Sequence, residues 1–471
     1  ELRKALEEKG AKLCTTLDIA GEIWEKRPSL PSFSIYLSSK SPESCSSKLA
    51  RLADQMQKAG ADAFVTSAMD EIGWLTNLRG SDVPYNPVFL SHLIVDGGKA
   101  HVFLNEGCLP SDLRAQLESE GVMFHPYEEF HAALSRIHGK AVLADPSTIS
   151  AASAEAIPSK ARLINQLSPV ALMKTRKSKA EIALIDEAMA KDGAALCRFY
   201  AWLEQTLWDN RKTITEMDVV ERLHEERAKE EGFVSESFGT IAAVGANAAL
   251  PHYTPSPECN SPLEGDTVLL IDSGAQYQEG TTDITRVTPI HLPSDAIRRD
   301  YTAVLRGHIQ LFDAYFPEGT YASQLDTFAR APLWEVDADF GHGTGHGVGF
   351  FMNVHERPYS ISPRSRPSEA TRTVEGIVVS DEPGLYREGR WGIRIENLIT
   401  PVIKAESEFG RFMGFRALTL CPIDTRLIVN RMMKSNEIAI LNSYNLMVRN
   451  ALKDRVTGAA LDWLMKRTEI C

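Results

Sequence analysis

Four carboxylates and a histidine stand at separate points in the second half of this 471-residue sequence, in settings that could bring them together. The first, Asp272, closes the apolar run Leu269-Leu270-Ile271 and precedes Ser273-Gly274-Ala275-Gln276-Tyr277. The second, Asp283, lies in Gly280-Thr281-Thr282-Asp283-Ile284-Thr285-Arg286. A turn at Gln278-Glu279-Gly280 would fold these runs into a hairpin and make the two aspartates converge from neighbouring strands. Taken singly, each is as well explained as a turn or capping residue. The segment Gly341 to Gly349 then sets His342 and His346 among five glycines, which permit close backbone approach. Neutral imidazole is the commonest metal-binding side chain, although a glycine-rich histidine loop could also be purely structural. His355 follows in Asn353-Val354-His355-Glu356. Glu382 occurs in Ser380-Asp381-Glu382-Pro383-Gly384-Leu385-Tyr386, and Glu396 in Gly392-Ile393-Arg394-Ile395-Glu396-Asn397. Arg394 and Glu396 alternate along one strand and so share a face. Alone, Glu396 would read as a solvated strand carboxylate.

Together, Asp272, Asp283, His346, Glu382 and Glu396 form an oxygen-rich donor set. Such a set favours hard divalent ions, Mn²⁺ or Mg²⁺, with Zn²⁺ and Co²⁺ possible. Two neighbouring cations repel one another and need bridging carboxylates, and four carboxylates neutralise two dications.

The elements that must position these residues show two patterns. Before residue 170, helical and strand signals alternate: a helix over Ser47 to Gly60, a strand at Ala63-Phe64-Val65, and paired strands at Phe89–Val95 and His101–Leu104 around Asp96-Gly97-Gly98. A helix at Ser111–Glu120 and a strand at Ala141-Val142-Leu143 complete an α/β pattern. After Pro169 comes a long amphipathic helix from Ser178 to Leu207, its start marked by the capping-box pair Ser178 and Glu181. Thr213 to Gly232 reads as a helix capped by Thr213 or Thr215. Strands are expected at Thr240–Val244, Thr267–Ile271, Thr285–Ile290, Ile377–Val379 and Ile393–Thr400, and helices at about 295–316 and 323–336. This half is read as α+β, with helices packed on one side of an antiparallel sheet. Asn436 to Leu464 has helical spacing, with Trp463 in the core and a possible role in dimerisation.

Composition bounds the function. The apolar fraction of 43% allows a large buried core, and the net charge of −12 argues against nucleic acid or an anionic membrane as the main partner. Solubility alone also accounts for that charge. Seven scattered cysteines without a CxxC pair fit reduced thiols in a cytoplasmic compartment. No apolar run approaches the roughly 20 residues needed to span a bilayer. The chain begins at Glu1 with no apolar signal region and is expected to be part of a longer protein.

At these motifs the sequence resembles the metallopeptidase family that contains aminopeptidase P, prolidase, methionine aminopeptidase and creatinase. The ligand order Asp, Asp, His, Glu, Glu is met in full by Asp272, Asp283, His346, Glu382 and Glu396. The resemblance is strongest to the three-domain, cytosolic-type aminopeptidase P group, through Leu78-Arg79-Gly80-Ser81-Asp82-Val83, the His342 cluster with Asn353-Val354-His355-Glu356, and Asp462-Trp463-Leu464. It implies a creatinase-like α/β domain over residues 28–170, a "pita-bread" catalytic domain with a C-terminal extension over 171–471, and a remnant of an upstream creatinase-like domain in 1–27. It also implies two divalent ions, most readily Mn²⁺. Asp272 would hold one ion, Asp283 and Glu396 would bridge, and His346 and Glu382 would complete the other. His252, His342 and His355 would contact substrate or its transition state, Tyr386 and Arg394 would stand just behind the ligands, and Arg79 would either reach toward the substrate cleft or hold a structural turn within the first domain. The implied activity is release of the N-terminal residue from peptides with proline second, by a hydroxide bridging the two ions, with Glu382 shuttling the proton. A homodimer is implied as well. The sequence departs from the family pattern at Arg357, where glycine is expected, at Pro251 before His252, where an aliphatic residue is usual, and in a basic, slightly long loop from Ser360 to Val374.

Other readings make different demands. A prolidase would cut only dipeptides. A creatinase would lack metals. A catalytically inactive peptidase-like module, or a binding protein with structural metals, would bind peptides or partners without turnover.

Overall fold

Alternating signals in the first third become a six-stranded mixed sheet ordered Val122–Pro126, Lys99–Leu104, Ser91–Asp96, Ala63–Thr66, Ala141–Ala144, Arg162–Asn165. The structure, a computed structural model, describes residues 2–14, 17–209 and 213–471. Ser91–Asp96 pairs antiparallel with Lys99–Leu104 across the expected turn, where Gly97 and Gly98 both take positive φ, as the tightest hairpin turns require. Ala63–Thr66 is buried throughout and sits centrally, antiparallel to Ser91–Asp96 and parallel to Ala141–Ala144. The helix Cys45–Ala59 starts at Ser44, whose hydroxyl accepts from the Ser47 amide, and ends at left-handed Gly60. Its buried residues include Leu52 and Met56. Residues 1–32 form a separate unit with short helices Leu2–Glu7 and Ile19–Ile23, and none of its described residues is buried.

The expected capping box opens the long helix Lys179–Glu204: Ser178 Oγ accepts from the Glu181 amide and the Glu181 carboxylate accepts from the Ser178 amide. Thr215, with Asp218, caps the next helix, Glu216–Arg227. That helix stops five residues before the sequence-based limit, because Gly232 turns with φ +84° into the strand Phe233–Glu236. The strands Ile241–Val244, Thr267–Ser273 and Ile284–Ile290 form an antiparallel sheet. A second sheet, antiparallel at every pairing, is ordered Phe316–Pro317, Gly410–Ala417, Asn397–Ser407, Val379–Asp381, Gly345–Gly347, Glu356–Ile361. Leu311, Leu325 and Ala329, from the helices Asp295–Phe312 and Ala322–Trp334, share a buried cluster with Ile361, Val379, Ile399 and Met413 of this sheet. The fold is therefore an α/β region with a mixed sheet followed by an α+β region built on antiparallel sheets.

Two expected strands are displaced. Ile377–Val379 becomes Val379–Asp381, and the run Ile393–Thr400 breaks at Ile395-Glu396 between Trp391–Arg394 and Asn397–Ser407. Both runs are buried at every position, and the second carries Arg394, Glu396 and Asn397 among its apolar residues, so register is set by sheet neighbours rather than by alternation. The C-terminal helical stretch divides at Gly458, φ +57°, into Ser435–Leu452 and Ala459–Arg467. Trp463 is buried and stacks on Tyr200 with ring centroids 5.3 Å apart, as a core residue. No helix among the described residues is long and apolar enough to cross a membrane.

Candidate metal centre

The hairpin signal holds. Thr267–Ser273 and Ile284–Ile290 pair with Asp272 opposite Thr285 and Ser273 opposite Ile284, so Asp272 and Asp283 approach from neighbouring strands. Gly274 makes the crossing possible: a Cβ there would lie 2.0 Å from the Thr282 carbonyl oxygen and 2.3 Å from Ser237 Oγ. The Asp272 carboxylate accepts a 2.6 Å hydrogen bond from Arg394 Nη2 on its Oδ2. Its Oδ1 is buried and has no hydrogen-bond partner among the described residues.

A second close approach sets His346. A Cβ on Gly345 would sit 1.8 Å from the Ser380 carbonyl oxygen, so only glycine lets this strand lie against the one that leads to Glu382. The His346 amide then donates to Ser380 Oγ at 2.9 Å, and that hydroxyl donates to Glu382 Oε1 at 3.0 Å. His346 Nδ1 lies 3.0 Å from the Gly347 carbonyl oxygen, which places the ring proton there and leaves Nε2 free as a ligand. Nε2 lies 3.5 Å from Asp283 Oδ2 and 3.4 Å from Glu382 Oε1. Glu396, 1% exposed, accepts from Thr285 Oγ1 at 2.7 Å. Ligand atoms of Asp283, His346 and Glu396 all fall within 4.8 Å of one another, a spacing that could hold a metal ion.

Behind the carboxylates runs a directed chain. Arg394 Nη1 donates to Tyr386 Oη at 2.7 Å, and Tyr386 Oη lies 2.9 Å from His342 Nε2. His342 Nδ1 faces the Gly343 carbonyl oxygen at 2.8 Å, so its proton is on Nδ1 and Nε2 accepts from the tyrosine. Burial, with Arg394 and Arg330 nearby, lowers the His342 pKa to about 4 and keeps the ring neutral.

These groups, with His252 and His355, line one cavity of about 760 Å³. The structure thus brings together every sequence-predicted site residue except Arg79. Arg79 is buried and donates to the backbone carbonyls of Gly73, Leu78, Phe350 and Phe351. The expected substrate contact is corrected: its donors are consumed in tying the Leu78–Arg79 strand to the Phe350-Phe351 segment. Sequence reasoning missed Thr285, Ser380 and the Gly345 crossing, which depend on pairings more than thirty residues apart. It also missed Phe238, Gly239, Ile241, Thr254, Ser360 and Ser362 in the cavity wall.

The electrostatics are those of acids crowded out of water. Burial, reinforced by Asp272, raises Asp283 to about 6. Burial, with Asp283 and Asp272 adding repulsion, raises Glu382 to about 7 and drives Glu396 well above the carboxylate range. Burial opposes a charge on His346, but Asp283 and Glu382 overcome it and hold the imidazolium up to about 9. Each perturbation has the sign that a nearby cation would relieve. The orphaned Asp272 Oδ1, and His346 Nε2, which would exchange its proton for a cation, fit divalent metals.

Comparison with known proteins agrees with this geometry. Residues 183–401 match metallopeptidase family M24, residues 26–181 the creatinase/prolidase N-terminal domain, and residues 411–471 the C-terminal region of the M24 peptidases. The chain belongs to metallopeptidase family M24. It is 38% identical to a probable Xaa-Pro aminopeptidase P of Fusarium vanettenii, over 95% of this chain and 75% of that protein. It is 36% identical to aminopeptidase P2 of Arabidopsis thaliana, over 99% of this chain and 71% of the relative. Among solved structures it is similar to the X-prolyl aminopeptidase of Caenorhabditis elegans, described as a cytosolic enzyme with a di-nuclear active site. There the TM-score is 0.94 and the identity 33%, covering 100% of this chain and 78% of that one. The Xaa-Pro dipeptidase of Bacillus anthracis shares the fold at TM-score 0.64 and 23% identity, over 81% of this chain and 99% of that chain.

Proposed function

We propose that this chain is a metal-dependent aminopeptidase that releases the N-terminal residue from peptides with proline in the second position. The observation that carries this reading is the convergence of Asp272, Asp283, His346, Glu382 and Glu396 on one cavity, with the Asp272 Oδ1 atom buried and unpartnered. The family and the Xaa-Pro-specific names of its relatives support it.

In this reading Asp272, Asp283, His346, Glu382 and Glu396 would hold two divalent cations. When bound, the two cations supply Lewis acidity, which polarises the carbonyl before proline and makes water acidic near neutral pH. Glu382 takes the proton from water and delivers it to the departing proline nitrogen. Ser380 holds the acceptor oxygen of Glu382 in place from one side. His252 and His355 hydrogen-bond the oxyanion, a contribution of about 3 kcal/mol per donor. The tertiary nitrogen and fixed φ of proline defeat sites that need an amide N–H at that position. Manganese is the proposed metal, since four carboxylates and one imidazole make a hard donor set. Cytoplasmic residence fits the seven scattered cysteines, none in a CxxC pair, and a homodimer completes the proposal. Light scattering that returned a monomer mass would remove the dimer from it.

The test is release of the first residue from Xaa-Pro-Yaa peptides by chelated protein resupplied with Mn²⁺. Activity on tripeptides and longer substrates is expected, whereas cleavage of Xaa-Pro dipeptides alone would make it a prolidase. Glu382→Gln is expected to lower kcat by about a thousandfold with the far-ultraviolet dichroism unchanged. Full turnover by that variant would refute its role.

A further inference from the structure

Beyond His355 the metal cavity adjoins a second one, of about 380 Å³, between the N-terminal sheet region and the catalytic region. His355 is a wall of both. Glu356 is buried and takes ion pairs from Lys174 and Lys177, which fixes the backbone on either side of it. Because side chains alternate, His355 and Arg357 flank this anchor and emerge together on the opposite side, both exposed.

The charged groups that line the second cavity have hydrogen-bond or ionic partners, most of them several. Lys174 pairs with Asp70 at 2.8 Å as well as with Glu356. Asp145 accepts from the amide and hydroxyl of Ser147. Glu71 accepts from Thr66 and Ser168 hydroxyls. Arg357 has one partner, Ser147 Oγ at 3.2 Å, and pairs with no carboxylate among the described residues. Asn353, on the same wall, keeps a buried Oδ1 atom with no hydrogen-bond donor among the described residues. The cavity therefore offers a cation that reaches a carboxylate only through the Ser147 hydroxyl, and an unmet acceptor, one on either side of His355 in sequence.

We propose that this cavity is the subsite for the peptide segment that follows proline, with Arg357 binding a carboxylate of that segment. The proposal rests on the Xaa-Pro aminopeptidase reading. Such an enzyme holds a single residue before the scissile bond, so the remainder of the peptide leaves from the proline side. Proline has no N–H, and the first donor after it belongs to the third residue. Asn353 Oδ1 is the acceptor for that donor. Arg357 then meets a carboxylate, either the C-terminus of a short peptide or an acidic side chain of a longer one.

The experiment compares kcat/KM for Xaa-Pro-Ala with a free C-terminus, Xaa-Pro-Ala amide and Xaa-Pro-Glu amide, each divided by kcat/KM for Xaa-prolinamide, which keeps the N–H assigned to Asn353 and ends before Arg357. The native chain, loaded with Mn²⁺, is expected to favour the carboxylate-bearing peptides over the neutral amide roughly fivefold, the size of a half-exposed ion pair. The free-acid and Glu-amide arms distinguish a terminal from a side-chain carboxylate. Arg357→Gln should bring the ratio to about one, Arg357→Lys should retain part of it, and Arg357→Glu should reverse it toward a Xaa-Pro-Lys amide. The reversal cannot arise from misfolding. Unchanged ratios in Arg357→Gln and Arg357→Glu would overturn the subsite. Failure of the native chain to cleave Xaa-prolinamide and all the peptides would instead remove the activity on which it rests.

Discussion

Burial at the metal centre makes each carboxylate a strong demand for positive charge, and the neighbouring hydroxyls and guanidinium meet only part of it. Arg394 serves both Asp272 and Tyr386, and through the tyrosine it orients His342. Tyr386→Phe removes the link and leaves His342 Nε2 without its donor. It is expected to lower kcat by about tenfold to a hundredfold with little change in Mn²⁺ affinity. A loss confined to metal affinity, read by titration, would contradict the orienting role. Away from the centre, Glu71 offers a pH test. Burial, with Asp70 beside it, raises its carboxyl from 4.5 to about 7. The folded state therefore holds this proton more tightly than the unfolded chain. The stability it contributes is complete below pH 4.5 and is lost as pH rises through 7. Glu71→Gln should be the more stable protein at pH 8, by up to about 3 kcal/mol, and lose this advantage at pH 4.5. Urea denaturation at the two pH values measures the difference. Residue types and spacing made the five ligands legible in the sequence, since each sits in a short, unusual string. Arg79 was not legible, because what decides its role is a pair of carbonyls more than 270 residues away.

Elements place these side chains through a few very close backbone crossings. Gly345 lies against the Ser380 carbonyl and Gly392 against that of Ala248, where a Cβ would come 1.8 Å and 1.7 Å from the oxygen respectively. Neither clash can be relieved by a rotamer change, because the obstructing atoms are backbone. Gly345→Ala is expected to lose at least about 3 kcal/mol of stability and most Mn²⁺ uptake, since displacing this strand moves His346 away from Asp283 and Glu382. A chemical-denaturation midpoint equal to that of the native chain would show that the crossing yields. Local signals of this kind vary in legibility. The Ser178 capping box and the Asp96-Gly97-Gly98 turn are encoded within a few residues, and both are found in the structure. The Val379–Asp381 strand is set two residues later than its apolar run suggests, because its antiparallel partners Gly347 and Ile399 fix the register.

Across the whole chain, the antiparallel sheet and its helices act as a frame for a centre whose side chains come from five strands or their edges. Folding must gather Asp272 and Glu396, 124 positions apart, before any cation can be shared. Binding therefore stabilises the folded state by mass action. Mn²⁺ at one hundred times its Kd should add about 2.7 kcal/mol for a single site. Calorimetry with and without Mn²⁺ should show Tm rising by a few degrees, and Mg²⁺ should achieve less at equal concentration. The α+β class was legible from helix pairs between strand runs, whereas the order of the six-stranded antiparallel sheet was not, since residues paired there are up to 97 positions apart in sequence. The most direct measurement is the number of Mn²⁺ ions taken up by chelated protein, followed by isothermal titration with electron paramagnetic resonance. Two per chain, spin-coupled, are expected for the native chain, with Glu396→Gln losing the coupling. One isolated ion, or two ions that persist unchanged in Glu396→Gln, would contradict a shared two-ion centre.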